Sequence, residues 1–204
     1  MKKKINLENG IKVEINTQDK TATIVKSDHI TGSLQIPRYV TSESQNYKII
    51  SIGYHAFEDS DLESLSFPKD SEVISFEDSI FYSGKIKKLQ IPPKLKNINP
   101  NWCNYVKGLI DIEISPKNKN FKYIDDKYFV GKSSEDSDTF NVLYYARFDI
   151  EDVIIPPQLE IISDSAFCNH RNLKSVVCPK NSKLKRIEKS PFFQSTISKL
   201  VLPE

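Results

Sequence analysis

Seven prolines each close a short apolar run: Pro37, Pro68, Pro92, Pro116, Pro156, Pro179 and Pro203, at successive intervals of 31, 24, 24, 40, 23 and 24 residues. The segments before the last six read LESLSFP, IKKLQIP, LIDIEISP, IEDVIIP, LKSVVCP and ISKLVLP. They share one pattern of apolar, two variable, apolar, variable, apolar, proline, with Ser115 inserted in the third copy. Upstream of five of these runs stands an apolar triplet with intervals of three and five: Ile49, Ile52, Phe57; Val73, Phe76, Phe81; Leu95, Ile98, Cys103; Leu159, Ile162, Phe167; and Leu184, Ile187, Phe192. These intervals fit neither one face of a helix nor the alternation of a lone strand. A period of this length is the mark of a solenoid, and it constrains the fold more than any local preference.

A coil of about 24 residues cannot bury its apolar side alone, whereas stacked coils bury a continuous core between neighbours. Each coil is therefore expected to supply one short strand and one irregular or single-turn arm. The strands would pair in parallel about 4.8 Å apart, giving a ribbon of about 30 Å for seven rungs. Proline after each strand removes a ladder donor and turns the chain.

The segments IGYHAF with LESLSFP, and ISDSAF with LKSVVCP, resemble the repeat of the BspA-type leucine-rich-repeat family, over about residues 30 to 204. ITGSLQIPRYVTSESQNYKIISIGYHAF is similar to the family's entry coil. Two places depart from the pattern: INPNWC stands where the aromatic anchor belongs, and the fourth coil lacks the arm. The resemblance implies a right-handed leucine-rich-repeat solenoid and a surface or adhesion role toward protein ligands of a host or neighbouring cell.

Residues 1–29 read differently, as KKINL, Asn9-Gly10, IKVEIN, a TQDK turn and TATIVKS. Alternation around Asn-Gly is a hairpin signal. This segment is expected to be an N-terminal β-hairpin cap on a solenoid of residues 30–204. A hairpin insertion is expected at about 117–150, with an acidic, solvated tip at 133–139. The 204 residues offer no second cover after the last strand, so the last coil is expected either to continue in a longer protein or to meet another subunit by self-association.

The chain has 29 basic and 27 acidic residues and a net charge of +2, so no general field draws it to nucleic acid or an anionic membrane. No apolar stretch long enough for a signal peptide or a membrane span occurs in the 204 residues. Cys103, Cys168 and Cys178 are an odd number without the close pairing of a disulfide framework or a zinc site, which reads as buried, reduced thiols. Those thiols, with the missing leader and the missing Asn-x-Ser/Thr sequons, favour an alternative role as an intracellular scaffold or assembly subunit.

Candidate chemistry is sparse. Cys168 and His170 stand two apart, the spacing of a thiolate and its base, yet another coil carries Glu58 and Ser60 in the same slots. Two further metal ligands are missing, and the six glycines are too scattered for a phosphate loop. No catalytic residue, metal or cofactor is expected. Cys178 takes an inward strand position, and Trp102 is read as packed filler beside Cys103.

If Leu65 and Phe67 face inward, alternation turns Ser64 and Ser66 outward. Stacking then aligns Ser64 and Ser66, Lys88 and Gln90, Asp111 and Glu113, Asp152 and Ile154, Ser175 and Val177, and Lys199 and Val201 on one face. These twelve residues are the expected binding surface. Within it Ile154, Val177 and Val201 form an outward apolar stripe of the kind that marks contact sites. No aromatic ring stands in the column, which disfavours carbohydrate binding.

Overall fold

The computed structural model describes residues 2–8 and 10–203. The chain begins with an antiparallel meander of β1 (Lys2–Asn6), β2 (Lys12–Asn16) and β3 (Thr21–Val25). Asn9, the first residue of the expected Asn-Gly turn, lies outside the described residues. Strands β2 and β3 alternate buried and half-buried positions, as strands with one packed face do. The outer strand, β1, is exposed at Lys2, Lys3 and Lys4, and such charges discourage edge-to-edge pairing.

Next come β4 (Thr31–Gln35) and a hairpin of β5 (Tyr39–Ser42) and β6 (Gln45–Ile52), turned through Glu43 and Ser44 at φ 51° and 62°. Strands β7 (Asp61–Ser66), β8 (Ser75–Phe76), β9 (Lys88–Ile91), β10 (Asn97–Ile98) and β11 (Asp111–Ile114) then alternate between two ladders. In the first ladder β4, β7, β9 and β11 pair in parallel. In the second, the tail of β6 continues the register from β3 to β8 and β10. The arms are thus more regular than the sequence suggests: the tail of β6 and the two-residue strands β8 and β10 form a ladder, each followed by a tight turn. No helix occurs among the described residues.

Tight turning explains the residues of the arms. His55, Asp59, Ser79, Ser83, Ser165 and Asn169 all have positive φ, between 52° and 64°, on either side of an aromatic anchor. Small polar side chains tolerate that region best among non-glycine residues. Gly53 serves a different need, because a Cβ there would stand 2.6 Å from the carbonyl oxygen of Ile24.

The insertion comprises β12 (Phe121–Ile124), β13 (Tyr128–Gly131) and β14 (Val142–Ala146), paired antiparallel in that order. Strand β14 takes the place of the missing arm, since it pairs in parallel with β16 (Ile161–Ile162), which pairs with β18 (Arg186–Ile187). The first ladder resumes as β15 (Asp152–Ile154), β17 (Ser175–Val177) and β19 (Lys199–Val201). All seven expected rungs are present. They form two sheets of four and three strands, because β11 ends one sheet and β15 begins the next. At the break Tyr145 donates its hydroxyl to the Leu109 carbonyl at 3.1 Å, and the Phe148 amide reaches the same oxygen at 3.2 Å.

The core divides at the same point. One buried cluster runs from Ile11 to Ile112 and takes in Phe121, Phe129 and Tyr145; the other runs from Tyr128 to Cys178. Trp102 is fully buried against Phe76, Phe81, Phe129 and Tyr145, with ring centroids 5.9–6.4 Å apart. It fills the space left where Cys103 replaces the aromatic anchor. Its indole N–H has no hydrogen-bond partner.

Candidate binding surface

On the four-stranded sheet several outward residues are engaged within the chain. Ser64 lies opposite Lys88, and Lys88 opposite Asp111, with an ion pair of 3.0 Å between the last two. Exposed pairs of this kind stabilise by at most about 1 kcal/mol. Gln90 lies opposite Glu113, and its side-chain oxygen accepts the Phe67 amide at 2.9 Å, so it closes the ladder before Pro68. The hydroxyl of Ser66 approaches the Leu34 carbonyl at 3.4 Å.

The three-stranded sheet differs. Asp152, Ser175 and Lys199 align in one column, and Ile154, Val177 and Val201 in the next. Ile154 is 67% exposed and Val201 38%, with Val177 half-buried between them. Ile154, Val177 and Val201 thus stand side by side on three adjacent rungs. The twelve expected residues do not form a single column, because the break after β11 separates the first six from the last six. Beyond the stripe, Leu200 and Leu202 occupy inward positions of the last coil yet are 45% and 48% exposed.

Two further surfaces escape the sequence reading. Phe67, Pro68, Pro92, Pro93 and Pro116 line a cleft of ≈ 250 Å³ where three coils turn. The stacked prolines were visible as punctuation, not as a cleft. On the arms, Tyr54, His55, Tyr82, Tyr105 and Phe193 form a row with successive ring centroids 3.8, 5.4, 4.8 and 5.6 Å apart. Tyr54, His55 and Tyr82 lie within 24° of parallel, each turning its face to the next, so this part of the row ties coils together.

The Cys168–His170 spacing does not make a nucleophile–base pair. His170 is fully buried, with Nδ1 3.0 Å from the Cys168 carbonyl and Nε2 2.8 Å from the Ala146 carbonyl. Burial lowers its pKa, while burial raises the thiols of Cys103, Cys168 and Cys178. All three cysteines are free and buried, as packed thiols should be. In the acidic tip Glu135 pairs with Lys96 at 2.8 Å, and Ser137 hydrogen-bonds Thr139. Among the described residues there is no group of three metal-ligating side chains and no helix long and apolar enough to cross a membrane.

Residues 38–142 and 138–204 match the sequence profile of the BspA type leucine rich repeat region, in six copies. A crystal structure of a leucine-rich repeat protein from Eubacterium ventriosum shares the fold, with TM-score 0.51 and 16% identity over 92% of this chain and 68% of that one. A leucine rich cell surface protein from Faecalibacterium prausnitzii aligns with 100% of this chain and 76% of its own, at 15% identity and TM-score 0.46. A comparison with curated proteins found no match.

Proposed function

Because the chain belongs to the BspA-type leucine-rich-repeat family, we propose that it is a non-catalytic protein-recognition module of the surface-adhesion kind. Its contact face is the three-stranded sheet. The observation that carries this reading is the apolar row of exposed Ile154, half-buried Val177 and exposed Val201, bounded by Asp152, Ser175 and Lys199. Contiguous apolar surface with a polar rim is the usual anatomy of a protein contact. Rigid stacking of the coils presents that row without a conformational cost on binding. Its place of action would be a cell surface, the location in the name of the Faecalibacterium prausnitzii protein.

Proximity labelling in the source cell tests this. Wild type is compared with the combined Ile154→Glu, Val177→Glu and Val201→Glu variant, with circular dichroism to verify folding. Loss of a defined partner set in the folded variant supports the face. An unchanged set rules it out. A partner set made of cytoplasmic proteins would favour the intracellular scaffold, the reading for which the three free buried thiols speak.

A further inference from the structure

The same three-stranded face carries a charge pattern that points to one particular partner. Its first outward column runs Asp152, Ser175, Lys199, negative to positive across three rungs. The second runs Ile154, Val177, Val201. Within the chain the Asp152 carboxylate accepts a hydrogen bond from Ser175, and Lys199 has no ion-pair partner among the described residues. On the neighbouring sheet the corresponding charges of Lys88 and Asp111 neutralise each other.

Now let a second copy lie face to face on this ribbon, related by a two-fold axis that runs along β17 between the two sheets. The operation preserves position along the strands and reverses the order of rungs. Asp152 of each copy then meets Lys199 of the other, Ile154 meets Val201, and Val177 meets itself. A two-fold interface requires such self-complementarity, in which residue i meets j and j meets i. Lys174 also approaches its own copy, at the rim, where Glu151 already neutralises it at 2.5 Å.

We infer that this ribbon is a homodimerisation face, in which two copies pack in opposite rung order through reciprocal Asp152–Lys199 pairs around an Ile154–Val177–Val201 core. The inference rests on the face assigned under Proposed function and names a second copy of this chain as an occupant. The face is small, and interfaces burying less than about 1,200 Å² are weak, so the dissociation constant is expected on the order of 100 µM. Such an affinity suits molecules displayed at high density, where effective concentration multiplies weak contacts.

Sedimentation equilibrium on the chain, up to about 1 mM, measures the association directly. Wild type should dimerise reversibly. Asp152→Lys and Lys199→Asp should each weaken dimerisation about tenfold or more by facing like charges, and the double exchange should restore it to within about threefold. Val177→Glu, which places like charges on the axis, should abolish it. Thermal melts keep folding defects apart from interface defects. A wild type that stays monomeric at 1 mM, single variants that dimerise as wild type does, or a double exchange without recovery would each overturn the inference. These outcomes separate from the partner reading. A monomeric wild type that still loses its labelled partners in the triple glutamate variant removes only the dimer. A dimer whose labelled partners are indifferent to that variant removes only the other partner.

Discussion

Replacing His170 by glutamine and following stability against pH sets two forces on one buried imidazole against each other. The ring is surrounded by Tyr145, Phe148 and Phe167, with centroids 5.5, 5.5 and 5.9 Å away, and both nitrogens face carbonyl oxygens. A neutral imidazole donates from one nitrogen only, so one of the two carbonyls faces a nitrogen without a proton. The carbonyls therefore favour the cation, and burial opposes it. Burial is the larger effect and holds the pKa below its ordinary 6.5. Between the folded pKa and 6.5 the unfolded chain binds a proton that the folded chain does not. Stability from this group is thus complete above that window and falls on acidification through it. The slope cannot exceed about 1.4 kcal/mol per pH unit, which gives up to about 1.4 kcal/mol of loss between about pH 7.5 and 5.5.

Urea unfolding of wild type and His170→Gln at about pH 7.5, 6.5 and 5.5, each in a background lacking His29 and His55, isolates that contribution. The variant should be less stable by about 1–3 kcal/mol at neutral pH, for lost packing and hydrogen bonding, and the gap should narrow with acid. A gap that widens on acidification would refute the reasoning, because it would mean that two carbonyl acceptors outweigh desolvation and the clamp is an imidazolium.

Gly53→Ala should cost about 2–3 kcal/mol in the same assay, since the new methyl meets backbone at 2.6 Å and a flexible neighbour cannot relieve it; an effect under about 0.5 kcal/mol would contradict the close approach. Trp102→Ala should lose about 3–5 kcal/mol by leaving a cavity, whereas Trp102→Phe should lose less than about 1.5 kcal/mol because it also removes an unpaired buried donor. Tyr145→Phe should cost only about 1 kcal/mol, because the Leu109 carbonyl keeps the Phe148 amide at 3.2 Å. A thiol reagent should find Cys103, Cys168 and Cys178 unreactive in the folded chain and reactive together in urea, and rapid labelling of any one before unfolding would show that its site opens.

The sequence by itself determined the coil. The period, the strand positions before each proline and the inward residues, including Cys178 and Trp102, were legible because burial in a stacked coil repeats at fixed spacing and needs only local pattern. The outward identity of Ile154, Val177 and Val201 followed from alternation alone. Tertiary structure decided which of those outward residues remain available. Gln90 closes the end of a ladder, Lys88 is paired, and the stripe belongs to a sheet of its own because Tyr145 and Phe148 dock on Leu109 where another rung would have paired. It likewise decided that arms with two αL residues pair as a second ladder, and that the aromatic row joins Tyr105 to Phe193 past the arm that carries Cys168. Each of these depends on which coil lies beside which at a separation of tens of residues. A local pattern carries the identity of every rung and is silent on the neighbour against which that rung is stacked.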